Sequence, residues 1–199
     1  YQKVDSLVDF LTGPGFDSAK FNTNKTGVRL VRGINITLGA TRWNDERTKY
    51  WEHNLDDFER YQLRQGDTVI GMDGSLVGKN YAFISASDLP ALLVQRVARL
   101  RATKKIDEKY LYYLFATSQW INYVELVKTN SGIPHISNGD IKSFRIPVPP
   151  ILEQKKIVTI LSSLDKVIEE KQQKLAQTQA LKKSLMQDLL TGKVRVQVN

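Results

Sequence analysis

Between Ile151 and Thr191 the chain holds neither proline nor glycine, and this stretch limits more than any other what it can fold into. Pro149 and Pro150 set an extended approach and suit a first helical turn, while Gly192 stands where a left-handed residue ends a helix. In between, Ile157, Ile160, Leu161, Leu164, Ile168, Leu175, Leu181, Leu185 and Leu189 recur at helical spacing, one stripe on a cylinder and not the alternation of a strand. A helix of about 40 residues extends roughly 60 Å at 1.5 Å per residue. That exceeds the radius of any domain the remaining residues can build. Much of the stripe is therefore expected to pack on another long helix, and on periodicity alone an ordinary dimerisation helix accounts for it.

From Tyr1 to Val148 the pattern changes to short segments between frequent turn signals. Val4, Leu7, Val8 and Leu11 read as a short amphipathic helix that Gly13, Pro14 and Gly15 terminate. Val28 to Arg32 reads as a strand, with Gly33, Ile34 and Asn35 turning the chain out of it. Thr41 to Trp51 mixes charged and aromatic residues without a period, as a surface loop leading into a helix near Leu55 to Leu63. Gly66 to Ser75 is the clearest strand and turn, since Asp73-Gly74 favours a turn in which glycine takes a positive φ cheaply. Val94 to Arg101 reads as a further strand. Asp107 suits the N-cap of a helix carrying Tyr110, Leu111, Leu114 and Phe115, and a second helix starts near Ser118 with Trp120, Ile121 and Val124 inward. A strand from Phe144 to Val148 then leads to the prolines.

Chemistry-bearing constellations are sparse. Asp67 and Asp73, six positions apart, would share one face of a straight strand, but Gly71 and Gly74 argue against a straight strand and so against a hydrolytic carboxylate pair. His53 and His135 stand far apart without metal-ligand spacing, and cysteine is absent, which rules out a disulfide framework or thiolate zinc site within this sequence. No glycine-rich phosphate loop followed by Lys-Ser or Lys-Thr occurs, and no Asn-Pro-Pro-aromatic motif of adenine methyltransferases. A stand-alone enzyme is the weakest reading, and no cofactor is expected. No run of 18 apolar residues occurs, and Asp5 and Asp9 occupy the place of a basic leader region. Neither a membrane span nor a secretory signal is expected, and a cytoplasmic setting is.

The residues that close the chain carry a resemblance. Pro149-Pro150, an apolar pair, Glu153-Gln154-Lys155-Lys156-Ile157, Leu161, Leu164 and Asp165, and finally Leu185 to Val194, resemble the conserved region ending the DNA specificity subunit of type I restriction-modification systems, HsdS. The run Gly66-Asp67 to Asp73-Gly74-Ser75, the Gln95 to Leu100 segment and Ser131 to Ser137 resemble its recognition domain. This resemblance implies an α+β chain: a mixed α/β target recognition domain with a twisted, partly barrel-like sheet over residues 1–148, then a long coiled-coil helix over 149–199. It implies a non-catalytic module that reads one half-site of a bipartite double-stranded DNA target. A modification subunit would supply adenine methylation and a motor and restriction subunit the cleavage. The family carries two recognition domains and two helices, whereas one of each is present. Two expectations follow: the C-terminal half of a longer subunit, which a first residue Tyr1 in place of Met favours, or a half-subunit that self-associates through its helix.

A net charge of +8 agrees with a polyanionic partner. Arginine can bond guanine in a bidentate manner, asparagine can bond adenine, and lysine, serine or backbone amides hold phosphates. Loop-borne candidates for DNA contact are Lys25, Arg32, Asn35, Arg42, Arg47, Lys79, Asn80, Lys128, Asn130, Ser131 and His135. Tyr110, Tyr112, Tyr113 and Phe115 are expected in the core, and Arg101 to Lys105 in an exposed connection. The competing class is a coiled-coil interaction protein whose small domain binds a ligand other than nucleic acid.

Overall fold

The computed structural model describes residues 1–129 and 132–197. Its strands, in chain order, are β1 (Gln2–Lys3), β2 (Val8–Thr12), β3 (Val28–Val31), β4 (Leu38–Gly39), β5 (Tyr50–Trp51), β6 (Thr68–Gly71), β7 (Tyr81–Phe83), β8 (Ala91–Leu93), β9 (Val97–Ala102) and β10 (Arg145–Ile146). The helices are α1 (Glu108–Leu114), α2 (Ser118–Val127), α3 (Asn138–Ser143) and α4 (Ile151–Leu190). The chain divides into two compact units, Tyr1–Lys155 and Lys156–Asn199.

In the first unit a five-stranded sheet has the order β2-β9-β6-β7-β4, and a three-stranded sheet the order β5-β3-β8. The five-stranded sheet is open, with β2 and β4 at its two ends. β3 and β8 run parallel, in a register that sets Leu30 opposite Leu92 and Val31 opposite Leu93. Successive strand residues face opposite sides, and both sides here are buried. Leu30 and Leu92 join Phe16, Trp51 and Val94 in one cluster, whereas Val31 and Leu93 join Val69, Ala82, Ile84 and Val97 in another. Burial on both faces explains why these strands read as unbroken apolar runs.

A third packed group surrounds Trp120, which is fully buried. Its ring meets Phe115 edge-on at 4.9 Å and Phe144 at 4.9 Å, and its Nε1 donates to the Gly78 carbonyl at 2.8 Å. The cap that starts α1 is the expected one: Asp107 accepts from Lys109 N at 3.0 Å and Tyr110 N at 3.1 Å. Gln154 explains the Glu-Gln pair after the prolines. Its buried amide accepts from Asp107 N at 2.8 Å and donates to Pro149 O at 2.8 Å, so the first turn of α4 belongs to the first unit.

Several local expectations give way to tertiary pairing. Val4 to Leu11 is not a helix: a 3-10 turn over Val4–Ser6 leads into β2, which pairs with β9 over five residues from Val8 opposite Ala102 to Thr12 opposite Ala98. Eight residues are too few for a 3.6-residue period to compete with a full antiparallel ladder. The strand expected over Val94 to Arg101 breaks at Arg96, whose φ of +63° turns β8 into β9. The helix near Leu55 to Leu63 is a 3-10 helix, Asp56–Tyr61, and the strand before the prolines shortens to Arg145–Ile146.

The second unit is the body of α4, in all a helix of 40 residues. Gly192, at φ +74°, ends it, and Val194 N bonds back to Asp188 O at 3.0 Å. Along it Ile160, Leu164, Ile168, Leu175, Leu181 and Leu185 are all exposed. Among the described residues no helix is long and apolar enough to cross a membrane.

Candidate nucleic-acid interface

Four of the sequence candidates meet in the segment after β3, bound into one structure by backbone carbonyls. Asn35 is fully buried. Its Nδ2 donates to Arg42 O at 3.3 Å and Arg47 O at 3.4 Å, and its Oδ1 accepts from Arg32 N at 3.4 Å. Asn35 thus serves as an internal tie of this loop, its amide bonded to the loop's own backbone. The Arg32 guanidinium is half-buried, bonded to Arg47 O and set over the Phe21 ring at 5.8 Å, and burial pulls its pKa down. Arg42 stays exposed, with Nη2 donating to Ile34 O at 3.1 Å. Lys25, at φ +64°, is exposed and ion-paired with Asp45 at 2.8 Å. Asp88 anchors the far side of the segment: its buried carboxylate accepts from Thr41 Oγ1 at 2.5 Å, Trp43 Nε1 at 2.8 Å and Ser85 Oγ at 2.6 Å. Burial alone would raise the Asp88 pKa, but these bonds outweigh it and hold the group below the usual carboxylate value.

Asn80 plays a similar part in another loop. It is buried, and with its nitrogen oriented to the two facing carbonyls it donates to Gly71 O at 3.0 Å and Leu76 O at 2.8 Å, closing the loop after β6. Lys79 beside it is exposed. Lys128 is largely covered and pairs with Glu125 at 2.6 Å. Asn130 and Ser131 lie outside the described residues.

His135 lies in a different place, with two residues that were not among the sequence candidates. Met72 and Gly74 pair with the 134–136 segment through Ile136 N to Met72 O at 3.0 Å and Gly74 N to Pro134 O at 2.9 Å. This sets Asp73 opposite His135. From the other side, Met72 N bonds Arg96 O at 2.9 Å and fixes the turn between β8 and β9. The Asp73 carboxylate then bridges two side chains: Oδ2 meets Arg96 Nη1 at 2.8 Å and Oδ1 meets His135 Nδ1. An ionised carboxylate only accepts, so His135 Nδ1 is the donor, and Nε2 is left outside this bond. Asp73, Arg96, Ile133 and His135 line a cavity of about 400 Å³. Arg96 and His135 also line an adjoining one of about 490 Å³ with Thr12, Asn138 and Gly139. Arg96 keeps φ +63° without being glycine, a conformation costing about 1 kcal/mol or more. Nothing in its local sequence marks it, since it falls inside a run that reads as plain strand.

The second carboxylate of the unfavoured hydrolytic pair is elsewhere. Asp67 is buried and grips Arg101 in a bidentate pair, with Nε at 2.7 Å and Nη2 at 2.8 Å. The bond to Asp67 pushes the Arg101 pKa up. Arg101 is thus held against the domain and not in an exposed connection. Arg99, buried two residues before it, pairs with Asp9 at 2.5 Å. Both carboxylates, Asp67 and Asp73, are engaged by arginines in separate places. Among the described residues no cluster of His, Asp or Glu could hold a metal.

This arrangement of sheets, short helices and a 40-residue terminal helix matches known proteins. The profile of the Type I restriction modification DNA specificity domain covers residues 7–179. The chain belongs to the type I restriction-modification specificity domain family. Among curated members, it is 34% identical over 165 residues to the Type I restriction enzyme EcoAI specificity subunit of Escherichia coli, covering 81% of this chain and 27% of that protein. It is 30% identical over 198 residues to the MjaVIII specificity subunit of Methanocaldococcus jannaschii, covering 98% of this chain and 46% of that one. The chain therefore spans less than half the length of these specificity subunits. Among solved structures, the type I restriction-modification S subunit from M. genitalium aligns with a TM-score of 0.65 at 16% identity, over 94% of this chain and 44% of that one. The HsdS subunit from Thermoanaerobacter tengcongensis aligns at 0.59 and 22%, over 96% and 43%. At such identities these two similarities establish the fold of a specificity domain.

Proposed function

We propose that this chain reads one half-site of a bipartite double-stranded DNA target within a type I restriction-modification complex. The observation that carries this reading is the extent of the family match, which runs through the mixed α/β unit and on to residue 179, well inside α4. Residues 1–148 act as the recognition domain, its twisted and partly barrel-like sheets serving as a frame for the loops. Residues 149–199 act as the pairing and docking helix. The chain performs no chemistry of its own: a modification subunit methylates adenine and a motor and restriction subunit cleaves, each directed to the site that this chain selects. The net charge of +8 supports a polyanionic partner, and the exposed Lys25, Arg42 and Lys79 supply contacts of the phosphate-holding kind. The exposed stripe of α4 supports self-association or pairing with an equivalent helix.

A salt titration of duplex DNA binding tests the reading. Affinity is expected to fall linearly on logarithmic axes as salt rises, with a slope set by the number of phosphates neutralised. Absence of salt-sensitive binding, even with the modification subunit supplied, would overturn the reading.

A further inference from the structure

We propose that Arg96, held in place by Asp73 and flanked by His135, is a base-reading residue that takes a guanine edge in the major groove. This rests on the DNA reading above and names a specificity determinant within it. Three observations carry it. Arg96 is two-thirds exposed on its side chain yet fixed at both ends, by Met72 N on its carbonyl and by Asp73 on Nη1. One edge of the guanidinium is engaged, and Nη2 and Nε remain as donors spaced for the O6 and N7 acceptors of guanine. The Asp73 charge cancels that of Arg96, which makes the pair a poor phosphate clamp, since phosphate contacts depend on net positive charge. Cancellation leaves donor direction intact, and direction is what reads a neutral base edge. Ile133, exposed at 65% on the wall of the same cavity, suits contact with a base or a thymine methyl and not with a charged backbone. Asp73 is the positioning residue, because it aims Arg96 and occupies His135 Nδ1 at once.

The test uses the full chain assembled with its modification subunit. A random-sequence duplex pool is selected for binding, and each guanine of the selected half-site is then replaced in turn by 7-deazaguanine, which lacks the N7 acceptor. One position is expected to lose about 2- to 12-fold in affinity, since the replacement removes one of the two acceptors of a bidentate pair. Arg96→Gly should be indifferent to that replacement and should accept other bases there, with selectivity elsewhere kept. Glycine tolerates the positive φ, so this variant is expected to fold. Asp73→Asn should weaken discrimination at the same position by less. A half-site without guanine, or no guanine sensitive to 7-deaza replacement, overturns the proposal. So does an Arg96→Gly variant that binds all sequences uniformly more weakly with a salt slope reduced by about 1, the mark of a phosphate contact. Failure of the wild-type complex to enrich any sequence overturns the DNA reading itself, and this inference with it.

Discussion

The two units of this chain treat apolar residues in opposite ways. In the first, Leu30, Val31, Leu92 and Leu93 are fully buried although each strand they come from is short, because both faces of their sheet are covered. In the second, Ile160, Leu164, Ile168, Leu175 and Leu181 are more than half exposed on a helix about eleven turns long. A helix satisfies its own backbone hydrogen bonds and can be regular without a core, whereas a two- or three-residue strand exists only through its neighbours. The difference separates a domain packed within itself from a helix whose apolar stripe is exposed.

The largest expected effect tests the packed side of that contrast. Trp120→Ala removes a fully buried ring and leaves the Gly78 carbonyl without its donor, and is expected to lower stability by about 3–5 kcal/mol. Urea unfolding followed by fluorescence measures it, and a loss under about 1 kcal/mol would mean that this part of the domain repacks freely. Next comes the polar anchor. Asp88→Asn keeps the size of the side chain but loses a charged acceptor for Thr41, Trp43 and Ser85, for an expected loss of about 1–3 kcal/mol. Because the folded chain holds the Asp88 pKa below its ordinary value, its stabilising contribution is complete above the unfolded pKa and is lost as pH falls through the folded one. The variant should therefore show a shallower loss of stability on acidification than the wild type, and equal acid limbs would remove Asp88 from that role.

The smallest effect on folding belongs to the exposed stripe. Leu164→Lys is expected to change unfolding of the first unit by less than about 0.5 kcal/mol, as for an ordinary surface position. The same substitution should abolish self-association in sedimentation experiments. A variant that still associates would show that the stripe is not the contact.

Legibility from sequence follows the same division. The helix from Ile151 onward, its proline entrance, its glycine end and the Asp107 cap were readable because each depends on residues within a few positions of one another. The segment Val4 to Leu11 was not, because its conformation is decided by β9, some ninety residues away. In sequence Asn35 and Asn80 read as loop amides, and only the fold shows that they are buried and bonded to carbonyls of their own loops. Arg96 is not legible in sequence for the converse reason: its neighbours in the chain are ordinary strand residues, and its partner Asp73, which also bonds His135, comes from another segment.

By itself the sequence determined the long helix, its ends, its apolar stripe and the family, since backbone hydrogen bonding within a helix and motifs around its ends are local properties. Only the tertiary structure decided which polar side chains are buried as ties and which are aimed outward. That choice depends on hydrogen bonds between segments far apart in the chain, and a carboxylate such as Asp73 can hold Arg96 and His135 together only after strand pairing has placed all three side by side.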